Sequence, residues 1–322
     1  MSEEYVVETQ NLTRRFGKFT AVDRVNFYIP RGEIFGLLGP NGAGKTTTIR
    51  MLCGILNPSE GDASVIGHDI RRESELIKQK IGYMSQKFAL YNDLTPKENL
   101  AFYSSIYGVP KAIRAERIKH LIRTAGLDKH ENELTRNLSG AWRQRLALAC
   151  AIAHEPPMLF LDEATAGVDP VSRRAFWDLI YEMAGQGVTI LATTHYMDEA
   201  EYCNTIGLMY QARLIAVSSP DTLRDNLQGT LVEIDCEKPL DALEAARTVK
   251  GVLEASLHGI HIHVAVEDEK ALKRLISHLE KLDIPIHGTE QIIPSLEDVF
   301  ISMVQEQARE QELAAGPAVS YK

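Results

Sequence analysis

The chain has 322 residues, 44% of them apolar, and a formal net charge of −9. That length and apolar content fill one large or two modest cores and exclude a disordered chain apart from its ends, while the acidic balance argues against a nucleic-acid surface. The longest apolar runs, such as Leu146 to Ala153, fall far short of the roughly 20 residues that cross a bilayer, and "MSEEYVVETQ" lacks the basic-then-apolar pattern of a leader, so a cytosolic chain is expected unless something recruits it.

In chain order, "EIFGLLG" (Glu33 to Gly39) is apolar and glycine-bounded, which predicts a buried strand, and "KTTTIRMLCGIL" predicts the helix after it. The junction "GPNGAGKTT" (Gly39, Pro40, Asn41, Gly42, Ala43, Gly44, Lys45, Thr46, Thr47) fits Gly-x4-Gly-Lys-Thr in the strand-to-helix context which that pattern requires. Glycines there let the backbone wrap so that its N–H groups face phosphates, and the helix N-terminus adds positive potential. Lys45 is expected to reach the β and γ phosphates and Thr46 to bind Mg²⁺; a glycine-rich turn without a ligand is the competing reading.

Between Thr95 and Asn137 strand signals vanish. "PKENLAFYSSIYGV" and "AIRAERIKHLIRTAGL" predict helices joined by Gly108-Val109-Pro110, the start of a helical lobe over about 95–155. "NLSGAWRQRLALACAI" (Asn137 to Ile152) follows as a helix start with Ser139 as its N-cap. Cys53, Cys150, Cys203 and Cys236 are scattered in apolar contexts without metal or redox spacing and are expected to be reduced packing residues.

"MLFLDEAT" predicts a buried strand that ends in two acids. Asp162 can hold a magnesium shell through Thr46 or water, and Glu163 can face elsewhere and polarise an attacking water; a solvated corner is the alternative. "VTILATTH" is another apolar strand, and His195 at its end could contact a γ-phosphate or orient water, although a lone strand-end histidine more often has a structural role. Short buried strands alternating with helices predict an α/β fold, a largely parallel sheet covered on both faces, with active groups at the carboxyl ends of the strands.

After "SSPDTLRDNLQG" the segments "TLVEIDC", "LDALEAARTV", "GVLEASLH", "GIHIHVAV", "EKALKRLISHLEKL" and "IPIHGTEQII" read strand, helix, strand, strand, helix, strand. That order predicts a small α+β module of the split β-α-β type, roughly 70 residues long. The helix "SLEDVFISMVQEQ" and a polar tail follow, giving expected boundaries of 1–228, 229–306 and 307–322. His258, His261, His263 and His287 invite a metal reading, yet without nearby Cys or paired acids a surface histidine pair is the expectation.

Together these residues resemble the ATP-binding-cassette (ABC) ATPases over roughly residues 4 to 228. Gln86 in "GYMSQ" resembles that family's Q-loop glutamine, "AGVDP" with Asp169 its D-loop, His195 its switch histidine, and Phe16 in "RRFGKFTAV" the aromatic that stacks on adenine. The resemblance implies a P-loop NTPase core with an antiparallel β subdomain and a helical lobe. It further implies ATP and Mg²⁺ as cofactors, with Gln86 joining Thr46 and Asp162 at the metal and joining Glu163 and His195 in hydrolysis. "LSGAW" is similar to the signature usually written Leu-Ser-Gly-Gly-Gln, which in that family closes over ATP held by another subunit in a head-to-tail dimer. Ser139, Gly140 and Ala141 are thereby expected at nucleotide, since the first N–H groups of a helix lack internal partners. Ala141 keeps its N–H and suits a helix start better than glycine. Gln144 cannot replace the missing glutamine, being turned by about 200° on the helix. Trp142 is open between stacking on a partner's nucleotide and packing in its own lobe.

Two jobs are compatible with such an ATPase: a motor subunit beneath a separate transmembrane permease, or a soluble cassette protein acting on ribosomes or DNA. Soluble members typically carry two cassettes or a long coiled coil, and neither is present here. "PSLEDVFI" (Pro294 to Ile301), with "GYMSQKFALYNDLT" and "EATAGVDPVSRRAFW", is similar to cassette subunits of bacterial drug, antibiotic and polysaccharide exporters, most of all the multidrug-efflux branch. An importer usually resembles a different set of C-terminal domains. The expected function is therefore efflux of drugs or other hydrophobic or amphiphilic compounds, from a peripheral position on the cytoplasmic face of the membrane. No nucleic-acid partner is expected. Phe88 and Tyr91 are expected to face the permease, Tyr103 and Tyr107 to pack in the lobe; the C-terminal module, lacking a catalytic set, is left with subunit pairing or regulation.

Overall fold

A computed structural model describes residues 5–86 and 89–315, the side chains of 308–315 excepted. The chain divides into two compact units between Ser219 and Pro220. Among the described residues no helix is long and apolar enough to cross a membrane.

In the first unit, the strands Ile34–Leu38, Met158–Asp162 and Thr189–Thr194 are buried at every position. Strands apolar on both faces need cover on both faces, which the interior of a parallel α/β sheet provides. They accordingly form the middle of a six-stranded sheet in the order Arg213–Ser218, Thr205–Tyr210, Ile34–Leu38, Thr189–Thr194, Met158–Asp162, Ile81–Met84. Every pairing is parallel except the hairpin between Thr205–Tyr210 and Arg213–Ser218. A second, antiparallel sheet combines Tyr5–Phe16, Phe19–Val25, Tyr28–Pro30, Glu60–Val65 and His68–Asp69. One core joins the two sheets, with Leu12 and Ile29 packed among Leu37, Ile49 and Phe160, and with Phe27 stacked on Phe35 at 4.9 Å. Both the parallel core and the antiparallel subdomain are thus as expected.

The helical lobe contains Pro96–Ile106, Lys111–Thr124 and Gly140–Ala151. The first starts at a reciprocal cap, in which Thr95 Oγ1 accepts from the Glu98 amide and the Glu98 carboxylate accepts from the Thr95 amide, with Pro96 just inside. A Thr cap of this kind stabilises by about 1 kcal/mol. Asn99, fully buried, donates to the Tyr91 carbonyl and to Thr135 Oγ1 and accepts from the Tyr91 amide, so the segment after Gln86 is pinned to the lobe. Tyr107 stacks on His154 and the Tyr103 hydroxyl donates to the Ala89 carbonyl; both tyrosines are half-buried, in keeping with packing roles. Tyr91 is 47% exposed, with Phe102 edge-on against it. Phe88 lies outside the described residues.

The second unit begins with the short helix Pro220–Asp225 and continues as the expected strand, helix, strand, strand, helix, strand. Its four strands are all antiparallel, in the order Val252–His258, His261–Val266, Thr230–Cys236, Ile286–Gln291. Alternation along Thr230–Cys236 and His261–Val266 turns Val232, Ile234, Ile262 and Val264 toward the helices Pro239–Ala246 and Glu269–Lys281 to make its core. The last helix runs Leu296–Ala315, so the segment read as a polar tail from 307 is helical as far as Ala315. All four cysteines are free and buried.

Candidate active site

The site is built at the carboxyl ends of the three central strands. Residues 39–44 turn from the strand Ile34–Leu38 into the helix Lys45–Leu52. Gly39 (φ +152°) and Gly44 (φ +110°) hold backbone angles that favour glycine; a Cβ would stand 2.1 Å from the Met209 carbonyl oxygen at the first and 2.4 Å from that of Ala21 at the second. The Ala43 amide donates to the Pro40 carbonyl, while Pro40, Asn41 and Gly42 remain exposed on the outside of the turn. No side chain caps the helix and no acid sits in its first turn, so its positive end is left to a ligand. Thr47, partly buried, belongs to that first turn.

Lys45 is 4% exposed and its Nζ donates to the carbonyls of Gly39 (2.7 Å) and Pro40 (3.2 Å). Burial pushes its ammonium below the usual lysine range, with the Glu163 carboxylate 3.5 Å away working in the opposite direction. Thr46 Oγ1 donates to Asp162 Oδ1 at 2.8 Å, and Thr193 Oγ1 donates to the same oxygen at 2.9 Å. Asp162 is 1% exposed, and its described hydrogen bonds come from these two hydroxyls rather than from a cation.

Glu163 adopts φ +49°, a conformation that costs a non-glycine residue on the order of 1–3 kcal/mol and recurs at functional sites. Its amide is held by the Thr193 carbonyl and Thr193 Oγ1, each at 3.1 Å. Turned in this way, its carboxylate meets Gln86 Nε2 at 3.0 Å, Lys45 Nζ at 3.5 Å and His195 Nδ1 at 3.7 Å. His195 Nδ1 is buried and has no hydrogen-bond partner, and its ring lies 4.2 Å from that of Tyr196. Lys45, Thr46, Gln86, Asp162, Glu163 and His195 are therefore one constellation, assembled from positions up to 150 residues apart.

The remaining sequence candidates stand apart. Ser139 caps the helix Gly140–Ala151 by accepting from the Trp142 amide at 3.4 Å, which leaves the first-turn N–H groups of Gly140 and Ala141 outside the cap. Gln86, Gly140, Arg143 and Gln144 line one cleft, but no described contact joins Ser139 or Ala141 to Glu163. Phe16 is 47% exposed at the end of its strand, with the Arg14 guanidinium 4.5 Å over its ring. Asp169 is exposed and caps the helix Pro170–Gly185 through the Ser172 amide at 2.9 Å, a bond that holds its carboxyl below the usual range. Trp142 lies against its own lobe, 4.9 Å from the His130 ring and 5.0 Å from the Arg145 guanidinium, which favours packing over a partner's nucleotide.

Two residues escaped the sequence reading. Thr193 joins Asp162 and Glu163, and its only trace in the sequence is a polar residue late in an apolar strand. Glu199, 1% exposed, accepts from Thr165 Oγ1 at 2.5 Å and lies 3.8 Å from Arg173, tying the turn after Glu163 to the segment after His195. A Glu inside the short "MDEAEYC" helix carries no mark of burial.

Comparison with known proteins gives the family and the fold. Residues 22–166 match the model of the ABC transporter family, and residues 219–304 match that of the ATP-binding protein DrrA1-3-like, C-terminal domain. The chain is 51% identical over 221 residues to the probable multidrug ABC transporter ATP-binding protein YbhF of Escherichia coli K12, a match that covers 69% of this chain and 38% of YbhF. With the linearmycin resistance ATP-binding protein LnrL of Bacillus subtilis 168 it shares 32% identity over 92% of this chain and 98% of LnrL. Among solved structures, cbiO1 from Clostridium perfringens, part of the ABC transporter complex cbiONQ, superposes with a TM-score of 0.65 at 27% identity, over 69% of this chain and 92% of that one.

Proposed function

The chain belongs to the ATP-binding proteins of ABC transporters, and from that premise we propose that it hydrolyses ATP to power export through a separate membrane permease. The observation that carries the proposal is the convergence of Lys45, Gln86 and His195 on the Glu163 carboxylate at the lip of a phosphate loop. Lys45 and the N–H groups of residues 39–47 bind the phosphates. Glu163 takes a proton from a water as that water's oxygen attacks the γ-phosphorus and the bond to the β–γ bridging oxygen breaks. Gln86 holds Glu163 and the water in line, and His195 contacts the γ-phosphate from the neighbouring strand end. Thr46, Asp162 and the Gln86 carboxamide offer an all-oxygen donor set suited to Mg²⁺, and buried Asp162 accepts from two neutral hydroxyls, with no described salt bridge of its own. When bound, that ion neutralises charge on the phosphates.

Ser139, Gly140, Ala141 and Asp169 are proposed to act across a head-to-tail homodimer, because their free first-turn N–H groups and exposed cap are not satisfied by Lys45's own constellation. Phe16 is proposed to stack on the adenine. The exposed apolar side chains of Tyr91, on the segment that Asn99 pins after Gln86, and of Phe102 and Ile106, on the helix Pro96–Ile106, suit docking beneath a permease. The multidrug and linearmycin-resistance roles of the relatives point to drugs or other amphiphilic compounds as cargo. Purification of the full chain from mildly solubilised membranes tests the assignment. Recovery of a multi-span permease without its own ATPase, in a complex whose ATP turnover is lost in Lys45→Ala, is the result expected; recovery of ribosomes or DNA in its place overturns it.

A further inference from the structure

The sheet of the second unit has a polar face opposite its core. Cross-strand register sets Glu233 beside His263 and Asp235 beside His261, and sets His258 beside His261 on the next strand. Cross-strand neighbours share a face, so these side chains form one patch. His263 is only 9% exposed, which corrects the expectation of a surface histidine pair. The helix Leu296–Ala315 packs on the strand Val252–His258 and brings in Asp298, itself 4% exposed. His263 Nδ1 lies 2.7 Å and His258 Nε2 3.2 Å from Asp298 Oδ1, and the two imidazoles stack at 3.8 Å with planes 8° apart.

We propose that His258, His263 and Asp298 form a binding site for a divalent transition-metal ion of the zinc class, one that ties the last helix to the sheet. The three offer ligand atoms that all lie within 4.8 Å of one another. Two imidazole nitrogens and a carboxylate oxygen are a donor set that Zn²⁺ takes, with water or another side chain completing four-coordination. Each ligand is already oriented by a partner of its own. His263 points its other nitrogen, Nε2, at Glu233 Oε2 (3.1 Å), the carboxylate support that metal-bound histidines characteristically have. Asp298 Oδ2 accepts from the Ser295 amide (2.8 Å) and hydroxyl (2.6 Å), which leaves Oδ1 for the ion. His258 Nε2 is buried without a hydrogen-bond partner, so turning its ring toward an ion breaks no hydrogen bond and exchanges the 3.2 Å approach to Asp298 and the stack on His263 for coordination. A histidine and carboxylate set held only by hydrogen bonds satisfies His263, yet leaves His258 Nε2, 3.2 Å from Asp298 Oδ1, without a well-aligned hydrogen bond. On binding, the proton between His263 Nδ1 and Asp298 Oδ1 passes to solvent.

The test is a zinc titration of the full chain, stripped with EDTA and desalted, followed by calorimetry against a metal indicator and by thermal melting. The parent should bind one tight equivalent and melt at a higher temperature with zinc. His287→Ala, 51% exposed and outside the cluster, should do the same. His258→Ala should lose that equivalent, weakening binding by more than the roughly 10–100-fold that follows loss of a supporting partner, and zinc should no longer raise its melting temperature. His258→Gln, which keeps side-chain volume without an imidazole, should behave alike if the alanine variant folds poorly. Absence of a tight equivalent in the parent, or equal zinc affinity in parent and His258 variants, overturns the proposal.

Discussion

Gln86 and Glu163, 77 residues apart in sequence, share a 3.0 Å hydrogen bond from the Gln86 amide nitrogen to the Glu163 carboxylate. The bond couples a residue from the loop before the helical lobe to the strand end where hydrolysis is proposed. If Gln86 acts mainly by positioning Glu163, with Thr46 and Asp162 holding most of the metal, Gln86→Ala should lower kcat on the order of 10²-fold, the scale of a slight misplacement of a reacting group. ATP affinity measured by equilibrium titration should stay close to that of the parent. A variant with weakened ATP binding and unchanged kcat would place Gln86 elsewhere in the cycle.

Thr193→Val is nearly isosteric and removes one hydroxyl from the Asp162 and Glu163 pair. Buried Asp162 then keeps Thr46 alone, a loss worth about 1–3 kcal/mol for an unsatisfied group. The Mg²⁺ concentration needed for half-maximal ATP turnover should rise roughly 10-fold, as for other outer partners of a metal ligand. An unchanged magnesium titration would show that Thr193 serves only the strand.

Trp142→Ala should act on stability. The ring packs on His130 and Arg145 of its own lobe, and truncating a half-buried tryptophan costs about 2 kcal/mol. A lowered melting temperature with undiminished ATP-driven dimer formation at a temperature where the variant is folded is the expected outcome. Intact stability with lost dimerisation would return Trp142 to the nucleotide of a partner.

Features whose cause is local were legible in the sequence. The phosphate loop could be read because its glycines, Lys45 and Thr46 are contiguous, and the order of elements in the second unit because its alternation is regular. Asp162 and Glu163 were visible as acids at the end of an apolar strand. The partnership of Thr193 with Asp162 was not, since it arises from the register between neighbouring parallel strands, which no local pattern encodes. The same holds in the second unit. "HIH" puts His261 and His263 on one face, but nothing in that stretch tells that the helix carrying Asp298 covers it. Trp142 needed the lobe around it: the His130 ring that it packs against lies 12 residues upstream, across a loop whose path no local pattern sets.

ATP-dependent association of the Glu163→Gln variant, followed by size-exclusion chromatography with phosphate release measured on the same sample, tests the proposed function most directly. The substitution keeps the shape of the side chain and removes the proton acceptor, so turnover should fall by roughly 10²–10⁴-fold. An ATP-bound dimer should accumulate, and ADP should leave the chain monomeric. Phosphate release near the parent rate, or a variant that stays monomeric in ATP, would contradict both Glu163 as the base and the head-to-tail dimer as the hydrolysing unit.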